Sequence, residues 1–407
     1  MKQKIIFFEP EITGGRGHHL DNLIESSIYF KKKKIIWFIN NQFKKKKLFI
    51  PKFINEYSVI DSYKSKTTIK KIIKFFLEIL ILFKLFYLFH RNNKLKNYLI
   101  ALKKNFFTVP EYFFSFYNTY KKIELNSNDF IIVQSCRPKD IELLHFLNII
   151  EHSTPTFILR VLYPPKRKKS KNFYYFAENL KKTKKNFYVF TEVNSINKLI
   201  RKNSTILKPK NFSQIYCFFN RKFKKEINIG FLGESRIDKG FNKIPELINK
   251  IKKIDNNINF TIQFSKYQYP NTYETKKKIL ELSNKYSGIK IYNGYLDFKI
   301  YRKLLQKINM MPILYDVGQV NAVGSGVFFS CITHEIPMII PDKSHQLKNY
   351  LIPNSYEIAS DLDEYVKKIF FIIKNYKKIL VNTKKLSKKY KLKINDDPLV
   401  KLINSRF

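Results

Sequence analysis

Apolar and polar positions follow two rhythms along this chain. Short, unbroken apolar runs recur: KIIFFEPEI, KIIWFIN, DFIIVQSC, PTFILRVLY and NFYVFTE, then INIGFLGE, NFTIQFSK, GIKIYNGYL, NMMPILYD and IPMIIPD. An unbroken run, rather than strict alternation, is the pattern of a strand covered on both faces in a parallel sheet. Between the runs the spacing becomes helical. Leu20, Leu23, Ile24 and Ile28 mark one helix, and VNSINKLIRK, Phe241–Ile254, TYETKKKILELSNKYS, DFKIYRKLLQKI and GSGVFFSCITHE mark others. SDLDEYVKKIFFIIKNYKKI is a helix capped by Ser360 or Asp361, and the tail is helical until Pro398. Strand, loop and helix in repeating order predict an α/β protein with parallel, helix-covered sheets. The order occurs twice, on either side of the basic, weakly periodic connector Lys208–Glu226. Two doubly wound units in tandem are therefore expected.

Length agrees, because 407 residues exceed one ordinary core. Charge is the loudest compositional feature, a formal +45. It has two readings: a polyanionic partner such as an acidic membrane surface or nucleic acid, or the Lys-, Asn-, Ile- and Phe-rich bias of an AT-rich coding sequence. Cys136, Cys217 and Cys331 are odd in number and far apart, which fits a reducing compartment without a disulfide framework or zinc site. The amino terminus has too short an apolar run for a signal peptide and reads as a first strand. Ile72–His90 is nearly all apolar but holds Lys74, Glu78 and Lys84. It reads as an interfacial helix flanked by basic residues, with a buried helix or a membrane span as alternatives.

Ligands of open parallel sheets bind at the carboxyl ends of the strands, where three loops stand out. TGGRGHH places Gly14, Gly15 and Gly17 before a helix whose start carries His18 and His19. The glycines permit close backbone approach, and a histidine can hydrogen-bond a sugar hydroxyl or simply cap the helix. GESRIDKG places Arg236 and Lys239 in one tight loop, a guanidinium fork and a point charge suited to a diphosphate, or else a solvated surface pair. NAVGSGVFF places Ser325, Gly326 and Val327 at the start of an apolar helix, where free N–H groups attract an anion. A plain N-cap serine is the alternative there.

INIGFLGESRIDKGF, NGYLDFKIYRKLLQKINMMPILYD and SGVFFSCITHEIPMIIP together resemble the carboxyl-terminal half of a GT-B glycosyltransferase, similar to the retaining nucleotide-sugar enzymes of glycosyltransferase family 4. The resemblance spans Ile227–Asp342 and is looser in the amino-terminal half. It implies two Rossmann-like domains facing a cleft: an acceptor domain over 1–215, a donor-binding domain over 220–375, and a helical tail over 376–407 packing back on the first. Arg236, Lys239 and the Ser325–Gly326–Val327 turn would hold the donor diphosphate, Gly14, Gly15 and Gly17 would face the diphosphate or acceptor, and His18 or His19 would act catalytically at the transferred sugar. No cofactor or metal is implied. Asp361–Asp363 only mimics a metal-binding DxD and reads as a cap. The family's two glutamates are replaced by Ala322 and Ser330, Glu335 falls where glycine is usual, and Asp316 is a candidate spatial substitute.

The expected function is a hexosyltransferase-like, retaining transfer from a nucleotide-sugar to a lipid-linked or polysaccharide acceptor. Its place would be the cytoplasmic membrane face, held peripherally by the basic surface in cell-envelope polysaccharide synthesis. Two rivals stand beside it: a relative that binds nucleotide or glycan without turnover, and a basic nucleic-acid binder. The scatter of lysines over every segment argues against the last.

Overall fold

The computed structural model describes residues 3–9, 18–40, 54, 56–60, 113–151, 153–162, 167–212, 218–219, 226–265, 269, 271–296, 298–316 and 325–405. The 72–90 segment and the glycines at 14, 15 and 17 lie outside them, as do the side chains of His18 and His19. Contacts divide the chain into two units. One comprises Met1–Gly14, Phe30–Asn211 and Ser405–Phe407; the other comprises Gly15–Tyr29 and Phe212–Asn404. The main division at 211/212 falls inside the expected connector.

Unit 1 holds seven parallel strands: β1 (Lys4–Glu9), β2 (Lys34–Asn40), β3 (Glu56–Ile60), β4 (Phe130–Val133), β5 (Thr156–Val161), β6 (Phe187–Thr191) and β7 (Lys210–Asn211). They lie in the order β3-β2-β1-β4-β5-β6-β7. The apolar runs explain the burial on both faces. Ile6, Phe8, Ile131, Val133, Phe157 and Leu159 enter one core cluster, while Ile5, Phe7, Ile132 and Ile158 are equally buried between them. Among the described residues, this unit's helices are α2 (Phe113–Ile123), α3 (Pro138–Ile150), α4 (Arg167–Thr183) and α5 (Asn194–Asn203); α1 (His18–Tyr29) groups with unit 2.

In unit 2, β8 (Asn228–Phe231), β9 (Asn259–Phe264) and β10 (Ile289–Asn293) form one parallel ladder. β11 (Met311–Pro312), β12 (Met338–Pro341) and β13 (Tyr356–Ala359) form another. A parallel bridge from Ile229 to Met310 joins them, with Gly230 N donating to Met310 O at 3.1 Å. The combined order, β10-β9-β8-β11-β12-β13, repeats that of unit 1 and reverses direction between β8 and β11. The helices are α6 (Ile244–Ile254), α7 (Tyr273–Lys285), α8 (Phe298–Lys307), α9 (Gly326–Thr333), the short α10 (His345–Lys348), α11 (Leu362–Lys374), α12 (Tyr376–Lys393) and α13 (Pro398–Asn404). Asp361 caps α11, accepting from Glu364 N at 2.9 Å, so the DLD reads as the expected helix start.

Three local expectations change. NMMPILYD yields only a two-residue strand; Met311 N and Ile313 N donate to Pro337 O and Ile339 O at 3.0 and 2.8 Å on the β12 side, while Pro312 has no N–H to donate toward β8, where the pairing is a single bridge. The helix expected from Phe241 begins with a 3-10 turn, and its α-helical part starts at Ile244 with Pro245 in the first turn. Pro398 opens a helix rather than ending the chain's helical part: the Asp397 carboxylate accepts from Leu399 N and Val400 N at 2.8 and 3.2 Å. In the tail, the apolar stripe of α12 (Ile379, Leu380 and Leu386) enters the two core clusters of unit 2.

Candidate functional site

The reversal point between β8 and β11 is where a doubly wound sheet opens a crevice at its carboxyl edge. Residues after β8 form a loop pinned on both sides. Toward β9, Gly233 N donates to Gln263 Oε1 at 2.9 Å, and Ser235 N donates to Ser265 Oγ at 2.6 Å. Toward β11, Asp316 N donates to Asp238 O at 3.0 Å. Gly240 has φ +73°, and a Cβ there would lie 2.1 Å from Leu314 O, so glycine alone permits this closeness.

The same loop meets the start of α9. Gly233 has φ +107°, and a Cβ on it would stand 3.0 Å from Val327 Cγ2. Tyr315, just beyond β11, lies 3.1 Å through its hydroxyl from Ser325 Oγ. Its ring centroid is 5.9 Å from Lys239 Nζ. Ser325 Oγ accepts from Phe328 N at 3.3 Å, so the side chain is an N-cap. The cap leaves the backbone N–H groups of Gly326 and Val327 as the anion-seeking part, because helix geometry gives them no intrahelical acceptor. Lys239 and Val327 thus line a cavity of about 40 Å³ together with Gly233, Ser235 and Tyr315, and Ser325 adjoins it through the Tyr315 hydroxyl. That space is far below the several hundred Å³ of a small-molecule pocket.

Arg236 joins this group with a complication absent from the sequence reading. Its fork is engaged within the loop: Nε donates to Asp238 Oδ1 at 2.9 Å, Nη2 donates to Asp238 Oδ2, and Nη1 donates to Glu234 Oε2 at 3.3 Å. Lys239 Nζ lies 3.8 Å from Glu234 Oε2. The hydrogen-bonded fork holds the Asp238 carboxyl below its ordinary range and pushes the Arg236 guanidinium up. Burial lowers the Lys239 ammonium, with Glu234 opposing. Glu234, Arg236, Asp238 and Lys239 therefore sum to zero charge. The signal was present in GESRIDKG, whose two acids alternate with the cations.

His18 and His19 open α1. Ala322 falls outside the described residues, whereas Ser330 lies within α9, and its carbonyl accepts from His334 N at 3.0 Å. Asp316 pairs with Lys243 at 3.6 Å, so it answers a cation of the same loop region. Glu335 takes φ +54°, the conformation a glycine would favour. Sequence reasoning missed Tyr315 and Gln263, which carry no motif and are recognised only by the elements they tie. It also missed Glu25 on α1, whose carboxyl is pushed up to about 7 by burial against a smaller opposing effect from Arg302.

The sequence matches no protein-family model and no curated protein sequence. Solved structures do match over nearly the whole chain. A glycosyltransferase from Rickettsia africae shares 12% identity over 99% of this chain and 96% of its own, with a TM-score of 0.59. Anabaena HepE in complex with UDP shares 9% identity over 99% and 98%, with a TM-score of 0.60. Sucrose-phosphate synthase from Thermosynechococcus elongatus shares 10% identity over 95% and 94%, with a TM-score of 0.57. Identities this low establish the architecture alone: the chain has a GT-B fold built from two Rossmann-like units.

Proposed function

We propose that this protein is a glycosyltransferase whose donor diphosphate lies over the mouth formed by the β8 loop, Tyr315 and the start of α9. The observation that carries the reading is convergence: Lys239, the Arg236 loop and the first amides of α9 meet at the reversal point of one sheet. Cleaving a sugar–phosphate bond leaves charge on the nucleoside diphosphate. Preorganised cations and a helix terminus at that place lower the barrier. Arg236 would exchange Asp238 and Glu234 for phosphate oxygens on binding, and Lys239 would add a point charge held in a half-dry setting. This charge stabilisation calls for no metal. HepE has been described with UDP and with UDP-glucose, which makes UDP the first nucleotide to test.

The finer reading keeps family 4-like retaining transfer to a lipid-linked or polysaccharide acceptor, with Gly14, Gly15 and Gly17 facing the diphosphate or acceptor and His18 or His19 at the transferred sugar. Peripheral action at the cytoplasmic membrane face belongs to it as well. No described helix is long and apolar enough to cross a membrane. A binding protein without turnover is the second reading, favoured by Ser330 where the family has a carboxylate and by the charge-neutral Arg236 loop. Thermal-shift screening of UDP, GDP and ADP, followed by hydrolysis of the matching sugar donor, separates the two. Stabilisation with turnover supports the enzyme. Stabilisation without turnover supports the binder, and no shift with any nucleotide rejects both.

A further inference from the structure

Helix α12 presents a surface of a different kind from the rest of unit 2. Its sequence, YKKILVNTKKLSKKYKLK, carries eight lysines and no acid. Lysines 377, 378, 384, 385, 388, 389, 391 and 393 are all exposed. The opposite face (Ile379, Leu380, Thr383, Leu386 and Ser387) is buried. Two aliphatic residues interrupt the lysines: Val381 is 52% exposed and Leu392 is 67% exposed. At 100° per residue their eleven-residue separation brings them within about 20° of one another. Lysines flank that line on both sides: 378, 385 and 389 on one, 377, 384, 388 and 391 on the other.

Coding bias spreads lysines over every helix but does not by itself produce this run. α6, α7 and α11 mix their lysines with acids: Glu246 on α6, Glu274 and Glu281 on α7, Asp363 and Glu364 on α11. α8 also lacks acids, but it carries three lysines and Arg302 against the eight lysines of α12. An aliphatic line bordered by ammonium groups is the pattern of a helix lying at a lipid–water boundary: stems and aliphatic side chains enter the acyl margin while ammonium groups reach phosphates. A nucleic-acid surface would instead offer arginine forks or exposed aromatic platforms. α12 has no arginine, and its Tyr390 donates to Tyr350 O at 2.9 Å.

We propose that the exposed face of α12 is the docking surface of this protein for an anionic lipid bilayer. The proposal specifies the membrane contact of the function proposed above, while the binding it predicts is independent of catalysis. α12 packs directly against α9, sharing its core cluster through Leu386. Docking here would therefore act on the unit that carries the start of α9.

The test is sedimentation of the full chain with vesicles of phosphatidylcholine alone or with phosphatidylglycerol added, at low and high salt. Wild-type protein is expected to bind only the anionic vesicles and to be released by salt. The variant with lysines 378, 384, 385 and 388 changed to Gln should weaken binding on the order of 10²–10³-fold, since each lysine near such a surface contributes about fivefold. Leu392→Ser should weaken binding several-fold with an unchanged salt dependence. Both variants should keep the wild-type melting temperature and UDP affinity. Equal vesicle binding by the four-lysine variant overturns the assignment to α12 and leaves membrane docking to another surface. Absence of wild-type preference for anionic vesicles overturns the docking itself, as does tight oligonucleotide binding that the four-lysine variant loses while its vesicle binding persists. None of these outcomes alters the nucleotide reading, which the UDP titration judges separately.

Discussion

The two units place the same strand order around opposite kinds of chemistry. In unit 1 the order reverses between β1 and β4. Phe8 pairs with Val133 and Val133 with Leu159, so the next residues, Glu9, Gln134 and Arg160, fall side by side across three strands. All three are buried, and Arg160 Nη1 donates to Gln134 Oε1. In unit 2 the order reverses between β8 and β11, and the polar groups there sit in a partly exposed loop and at a helix start. A shared topology supplies the position, and the residues just beyond the strands decide what is done with it. Unit 1 closes its edge with a formally neutral, desolvated row. Unit 2 keeps cations and amides within reach of an anion.

The largest effect that would sharpen this contrast is on stability in unit 1. Arg160→Ala removes a buried guanidinium from its row and is expected to destabilise by about 3–5 kcal/mol in urea unfolding. The folded fraction should keep its UDP affinity. Arg236→Ala should do the reverse: donor affinity falls about 100-fold, while stability changes by no more than about 1 kcal/mol because its partners are half exposed. Equal stability losses from the two variants would erase the distinction.

A pH series tests a half-buried acid in unit 2. The Glu25 carboxyl is raised from 4.5 to about 7 in the folded protein. The folded state thus holds a proton there that the unfolded chain releases earlier, and stability falls as pH rises from 4.5 to 7. Glu25→Gln should be more stable than wild type by about 2–3 kcal/mol at pH 8 and indistinguishable at pH 4. A constant difference at all pH values would contradict this. The smallest effect concerns the loop acids. Asp238→Asn releases part of the hold on Arg236 and should tighten UDP binding several-fold, whereas weaker binding would mean that Asp238 positions the fork for its ligand.

Much of this was legible in the chain, and the rest failed for identifiable reasons. The unbroken apolar runs gave β1, β2, β4, β5, β6, β8 and β9 because both faces of each strand are covered. β13, Tyr356–Ala359, escaped because its pattern is short and half exposed. α3 escaped because it is buried on nearly every side and has no polar stripe to set its period. α4 does carry apolar spacing at Phe173, Phe176, Ala177 and Leu180, diluted by lysines at both ends. In the site, glycines and cations announced the loop and the α9 start. The tie through Tyr315 and the neutralisation of Arg236 depend on which side chains meet in space, and spacing does not encode that.

Calorimetric titration of UDP into wild type, Lys239→Ala, Gly326→Pro and the double variant tests the convergence itself. Proline is tolerated at the first helical position and removes only the N–H, and the extended backbone of Ser325 (φ −123°, ψ 113°) accepts a following proline. Each single change is expected to weaken UDP at least tenfold. The double should lose less than the sum, because both groups serve one diphosphate. Wild-type affinity in both single variants would contradict the account.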